Sequence, residues 1–280
     1  MRGFQQSHGL RDDGVCDDAT WSTLVEASWE LGDRHLYLRS PNLRGDDVAD
    51  LQARLGRLGF DAGRVDGIFG PDTARALQEF QRNVALTPDG ICGYETLRSL
   101  QRLATRADVG PSVASVREDE EMRRGSRGLD GKRLVVGHSG GLGALTRSVA
   151  RQLRLAGASA LEVPDPDARV QARMADQFDA ELYIGLAAGA PQSYVAYYAV
   201  PGFESVGGRR MAERFHAQLS ALGVSLDCTP RGMRSPVLRE TRMAAVVFEL
   251  GTASVTPAWS PRIATAAVVA TRAWFAGPER

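Results

Sequence analysis

The run Gly137-His138-Ser139-Gly140-Gly141-Leu142-Gly143 follows the apolar triplet Leu134-Val135-Val136 and precedes helical spacing at Leu145, Val149 and Leu153. A strand, a glycine-rich turn and a helix in that order can cradle a phosphate, because the amides of the turn and of the helix start are free to face it. Other chemistry-bearing residues are sparse. His8, His35 and His216 lie far from His138, and Cys16, Cys92 and Cys228 are too few and too scattered for a disulfide framework or a CxxC metal site; they suit a reducing cytoplasm. Glu249 follows four apolar residues, where a carboxylate without a partner is costly, so a polar pocket or pairing with Arg239 is expected; His138 reads equally as the cap of a strand end. Tyr194, Tyr197 and Tyr198 read as alternating between the core and surface of a strand, not as an aromatic platform for sugars.

The elements that must position these residues belong to a chain long enough for about two domains. With 43% hydrophobic residues and 34 basic against 34 acidic ones, it has an ordinary globular composition and no field to attract nucleic acid. Lys132 is the single lysine, which with abundant Ala and Gly points to a GC-rich genome. The polar start MRGFQQSHGLRDDG has no apolar signal region, and no stretch approaches the roughly 18 apolar residues of a spanning helix. As written, the chain reads as neither exported nor anchored and therefore cytoplasmic. A signal peptide upstream of Met1 would place it in the cell wall instead.

Internal similarity organises the first half. Phe4-Gln5-Gln6 matches Phe80-Gln81-Arg82, and at the same offset Asp13-Gly14-Val15-Cys16 matches Asp89-Gly90-Ile91-Cys92, with Thr20 and Leu24 matching Thr96 and Leu100. The second copy is complete. Val48, Leu51, Leu55 and Leu58 share a helix face that Gly59 ends; Asp66-Gly67 and Phe69-Gly70 form turns; Pro71 opens a helix with Thr73, Leu77 and Phe80 on one face; Leu97, Leu100 and Leu103 mark a third. The first copy starts only at its Phe-Gln motif, so residues 1–42 read as a truncated repeat plus a connector carrying Trp29, Leu36 and Leu38. Residues 104–131, with the charge run Arg117-Glu118-Asp119-Glu120-Glu121, read as a linker bearing a short solvated helix. Beyond it, strands at 160–163, 182–186, 194–200 and 245–248 alternate with helices, one of them marked by Met211, Phe215, Leu219 and Leu222, as in a layered α/β sheet.

Residues 43–103 are similar over their whole length to the PG-binding-1 domain, a small all-α three-helix bundle that binds peptidoglycan. The match runs through Gly45, Val48, Leu51-Gln52, Leu55, Leu58-Gly59, Asp66-Gly67-Ile68-Phe69-Gly70, Thr73, Phe80-Gln81, Asp89-Gly90, Gly93 and Thr96. The resemblance makes Asp66, Gly67, Phe69, Gly70 and Gln81 candidate ligand-binding residues, although turn and core roles suit them better and a glycan would lie in a groove beside them.

Residues 132–280 resemble the zinc-dependent N-acetylmuramoyl-L-alanine amidases of the amidase-3 family, a three-layer α/β domain. The likeness is clearest at Val135-Val136-Gly137-His138-Ser139-Gly140-Gly141 and at Val237 to Gly251. In that family two His and one Glu hold zinc and a C-terminal Glu is the base. The resemblance gives His138 a metal position and Glu249 the catalytic one, both vestigial. No Glu occurs between Glu121 and Glu162, and the family's second His aligns with Ala187 in Gly185-Leu186-Ala187-Ala188-Gly189. His216 lies outside the ligand positions, and Asp227 or Cys228 could stand in only against the spacing. No cofactor is expected, zinc being required only if the chain is an active amidase. The arrangement resembles actinobacterial pseudo-amidases that regulate cell-wall synthesis. That implies peptidoglycan or its precursors as partner, with an enzyme of precursor synthesis as a second. A protein-binding scaffold is the third reading. The dinucleotide reading of 137–143 also suggests a short-chain dehydrogenase, but Lys132 precedes the loop and leaves no Tyr-x-x-x-Lys pair.

Overall fold

The computed structural model describes residues 1–104, 113–124, 128–139, 141–200, 202–224, 226, 228–251 and 256–277. Two compact units emerge. The first comprises Met1–Gln5, Asp13–Glu118 and Val200–Phe203, the second Gln6–Asp12, Asp119–Ala199 and Glu204–Arg280. Residues 105–112 and 125–127 of the expected linker lie outside the described residues, whereas its charge run lies on a helix, Val113–Arg124.

The first unit is helical: most of α1 (Arg2–Ser7), α2 (Asp18–Ala27), α3 (Asp46–Arg57), α4 (Pro71–Asn83), α5 (Tyr94–Ala104) and the first half of α6 (Val113–Arg124). The apolar stripes meet as their spacing dictates. Val48, Leu51 and Leu55 of α3, Leu77 and Phe80 of α4 and Leu100 of α5 are fully buried in one cluster with Phe69. Leu36 joins that core and exchanges backbone hydrogen bonds with Cys92, so the core reaches back into the expected connector. Arg34 fastens the same segment, donating to both oxygens of the buried Asp47 carboxylate (2.7 and 3.1 Å).

Three buried glutamines hold three Asp-Gly turns in one way. Gln81 Nε2 donates to Asp89 Oδ1 (2.8 Å), Ile91 O (3.1 Å) and Thr96 Oγ1 (3.2 Å), while its Oε1 accepts from Gly90 N (2.9 Å). Gln52 does the same with Asp66, Ile68, Thr73 and Gly67. Gln5 reaches Val15 O, Thr20 Oγ1 and Gly14 N. Each amide thereby satisfies turn groups that burial would otherwise leave unpaired. Gly67 must be glycine. Its φ is +71°, and a Cβ would stand 2.9 Å from the carbonyl oxygen of Gly45.

The second unit is a mixed sheet between helices. Its strands are β1 (Arg133–Ser139), β2 (Ser159–Val163), β3 (Leu182–Ala187), β4 (Tyr194–Val200), β5 (Phe203–Glu204), β6 (Thr229–Met233) and β7 (Ala244–Glu249). The order is β2-β1-β3-β7-β4-β5, with β6 on β4. Strands β1, β2, β3 and β7 run parallel; β4 runs antiparallel to β7. Helices α7 (Gly143–Leu155), α9 (Val206–Ala221) and α11 (Thr256–Ala276) share a buried cluster with Leu134, Val136, Leu182, Ile184, Val246 and Phe248 on one face. Helices α8 (Ala168–Gln177) and α10 (Pro236–Glu240) pack together on the other. The three layers match the expected α/β domain. Of the tyrosines, Tyr198 is buried while Tyr194 and Tyr197 are half-buried on opposite faces of β4, so both sides of this strand are covered, contrary to a solvent-facing alternation.

Gln81→Leu strands the amide of Gly90 and the groups of Asp89 and Thr96 that the side chain holds. A loss of about 2–3 kcal/mol is expected for the helical unit. Urea denaturation of the full chain measures it, and an unchanged midpoint would deny Gln81 this structural role.

Candidate functional site

Parallel pairing delivers the sequence-predicted residues of the second unit to one rim. Register sets His138 beside Leu186, Ser139 beside Ala187, and Ala187 beside Glu249, so the ends of β1, β3 and β7 bring the three residues that the resemblance singles out to adjacent strands. The chain leaves β1 toward β2 on one side and returns to β3 on the other. Such a switch point opens a crevice at the carboxyl ends of the strands. The two candidate side chains share the rim but not a face: by the pleat His138 follows Leu134 and Val136, whereas Glu249 follows Ala245 and Val247. Two strand spacings, roughly 10 Å, separate their backbones.

Glu249 is held by backbone and not by Arg239. Its Oε1 accepts from Gly251 N (3.1 Å) and Ala190 N (3.3 Å), and Arg239 reaches Glu240 instead (3.4 Å). The expected pairing with Arg239 is therefore replaced by a cradle of amides, a natural arrangement where β7 and β3 end side by side. Burial pushes the Glu249 carboxyl above its ordinary range, and the backbone amides of Ala190, Gly251 and Gly189 oppose that shift. Tyr194, directly across from Glu249 in the antiparallel register, is pushed up to about 12, chiefly by burial and then by the Glu249 charge. The guanidinium of Arg231 lies over its ring, 4.7 Å from the centroid. Sequence reasoning missed this Tyr194–Arg231 pair, whose two members come from strands that are not neighbours in the chain.

The end of β1 is locked from below. Gln171 of α8 donates to His138 O (3.2 Å) and accepts from the buried Tyr183 hydroxyl. A Cβ at Gly137 would collide with both side chains, so the first glycine of the loop serves packing and not phosphate binding. The imidazole of His138 has a buried Nδ1 with no hydrogen-bond partner among the described residues.

Zinc is the metal the amidase-3 resemblance implies, and the donors do not fit it. Among the described residues no three His, Cys, Asp or Glu side chains gather as a metal site, whereas catalytic zinc takes about three protein ligands. At the end of β3 the rim offers Leu186 beside His138 and then Ala187, and α7 begins at Gly143-Ala144 without a carboxylate. His216 Nδ1 lies 3.1 Å from the Cys228 carbonyl oxygen, away from this rim on α9. Asp227 and Gly140 lie outside the described residues.

In the helical unit, Asp66, Gly67, Phe69 and Gln81 build the turns and core, and Gly70 is the extended residue that precedes α4. Phe69 is fully buried and Gln81 nearly so. The missed residue is Gln52, whose relation to Asp66, Gly67 and Thr73 repeats that of Gln81 to Asp89, Gly90 and Thr96. The seven-residue step from Asp to Thr at both places was the available signal.

Comparison with known proteins agrees with both halves. The model of the peptidoglycan binding domain family PG-binding-1 matches residues 44–100. N-acetylmuramoyl-L-alanine amidase CwlM of Mycobacterium tuberculosis is 37% identical over 284 residues, covering 90% of this chain and 70% of that protein. A spore cortex-lytic enzyme of Bacillus cereus is 45% identical over 64 residues, 23% of this chain and 24% of the relative. Among solved structures, the catalytic domain of the amidase CwlV from Bacillus (Paenibacillus) polymyxa var. colistinus aligns at a TM-score of 0.40 and 17% identity, over 51% of this chain and 97% of that one.

The raised carboxyl of Glu249 has a measurable sign. Between the unfolded and folded titrations the folded state binds more protons, so this residue makes stability fall as pH rises through that window. Glu249→Gln removes the titration and keeps an oxygen for the two amides. It is expected to stabilise the chain at neutral pH and to be without effect in acid below the unfolded carboxylate range. Urea midpoints at the two pH values test this, and a destabilised variant at neutral pH contradicts it.

Proposed function

The chain belongs to the family of the N-acetylmuramoyl-L-alanine amidase CwlM, and we propose that it binds peptidoglycan or its precursors through the helical module while its amidase-like domain acts as a non-catalytic binding or regulatory platform. The observation that carries this reading is the donor set of the rim: His138 lies beside Leu186 in register and near Gly143, with no second imidazole or carboxylate to complete a three-ligand site among the described residues. Residues 2–27, whose Gln5 holds Gly14 and Thr20 as Gln81 holds Gly90 and Thr96, are the second half of another binding module on this reading. No described helix is long and apolar enough to cross a membrane. The three free cysteines support action in a reducing cytoplasm, where precursors and an enzyme that makes them are the accessible partners.

An active amidase is the second reading. It is favoured by one feature: Glu249 keeps the family's catalytic position with a raised proton affinity, which suits general acid–base work.

Three measurements on the full chain separate the readings. Retention on insoluble peptidoglycan is expected, and its absence overturns the binding function in favour of a protein scaffold. After zinc loading and desalting, elemental mass spectrometry is expected to find far less than about one zinc per chain. Muropeptides are expected to stay uncleaved. Stoichiometric zinc that is lost in His138→Ala, together with release of stem peptides, overturns the non-catalytic platform.

A further inference from the structure

We infer that the rim of the sheet beside α7 is an anion site, formed by Arg147 and His138 on either side of the notch left by Gly143, and that it takes a carboxylate or phosphate group of a small ligand. The first observation is convergence. The point where a Cβ of residue 143 would stand is 3.4 Å from Arg147 Nη1 and 3.6 Å from His138 Nε2, so two nitrogen-bearing groups from different elements flank one gap that only a glycine leaves open. The second is the lack of competing partners. Arg147 is exposed and has no carboxylate or carbonyl partner among the described residues, and no hydrogen bond there fixes the imidazole of His138, whose Nδ1 is buried and unpartnered. The ring is therefore free to carry its proton on Nε2 and donate it across the notch.

Charge along α7 adds to this. The helix, GALTRSVARQLRL, contains three arginines and no acidic residue. Arg154 is occupied by Glu162 (3.0 Å), while Arg151, one turn beyond Arg147, is exposed and likewise without an acidic partner among the described residues. The first turn of this 13-residue helix opens beside the notch, where its free amides favour negative charge. Glu249 does not cancel the pair, since it follows the opposite face of the sheet and its oxygen is taken by Gly251 and Ala190. Where a carboxylate beside the histidine would make a cation site, a guanidinium makes the reverse. A planar guanidinium holds an oxyanion through paired N–H donors, so carboxylate and phosphate share one recognition chemistry here.

This inference concerns the amidase-like unit alone and goes beyond peptidoglycan binding by the helical module. Its test is a titration of the full chain labelled with ¹⁵N only at its four histidines. Sodium phosphate and sodium acetate are the two probes, with sodium chloride at matched ionic strength and fixed pH as reference, and the His138 signal is assigned by its loss in His138→Gln. A saturable shift of the His138 signal alone is expected with phosphate, acetate or both, and the tighter of the two names the source. Arg147→Ala is expected to weaken it about tenfold, the scale of one charge-assisted contact. Gly143→Ala, whose added methyl meets both nitrogens at ordinary contact distance, is expected to weaken it too. No saturable shift, a shift spread over all four histidines, or undiminished affinity in both variants would overturn the site. So would stoichiometric zinc held by His138. Retention on peptidoglycan is read separately, so the failure of one proposal leaves the other standing.

Discussion

The parallel register of β1, β3 and β7 is the constraint on which the second unit depends. Because side chains alternate with each residue, a slip of one position would exchange the buried Leu134, Val136, Ile184, Val246 and Phe248 for residues of the opposite face. The apolar layer under α7, α9 and α11 fixes that register, as the Phe215 and Phe248 rings stacked at 3.6 Å illustrate. Once it is fixed, His138, Ala187 and Glu249 arrive at the rim with no further instruction. The core fixes where these residues stand and leaves the identity of each free to change.

Much of this was legible from spacing alone. Val48, Leu51 and Leu55, or Met211, Phe215 and Leu219, announce their helices because large apolar residues recur on one face and find a core there. The strands at 133–139, 182–187 and 244–249 were equally plain as short apolar runs. Helix α11 was not, since among the described residues four of its seven buried ones are Ala264, Ala266, Ala267 and Ala270, beside Ile263, Val268 and Thr271, and alanines crowd a helix on all sides without drawing a stripe. Helix α8 hides for the same reason behind Ala172 and Ala175. Strand β6, Thr-Pro-Arg-Gly-Met, contains two residues that argue against a strand, which it can hold because it pairs with β4 away from the main path of the sheet.

The site divides along the same line. His138 and Glu249 could be placed by resemblance, but their surroundings could not. What surrounds them depends on contacts between residues far apart in the chain: Gln171 beneath β1, the amides of Ala190 and Gly251 around Glu249, and Arg231 over Tyr194. A carboxylate after four apolar residues demands a partner, and that demand was readable; its answer by backbone instead of Arg239 follows from where two loops end.

The glutamine-held turns carry a consequence for how such modules diversify. The step from Asp to Thr is seven residues at Asp13, Asp66 and Asp89, because turn and helix start form one rigid piece. The distance from the glutamine to its Asp is not fixed: eight residues from Gln5 and Gln81, fourteen from Gln52. One side chain, reaching over from a neighbouring helix, closes the turn whatever the length of chain between. Evolution can therefore change the length of that span as long as its core contacts are kept: within 58–65, Ala62 and Val65 are buried and Phe60 packs edge-on against Phe80, so an engineer grafting a foreign loop onto this module would keep those three and vary the rest.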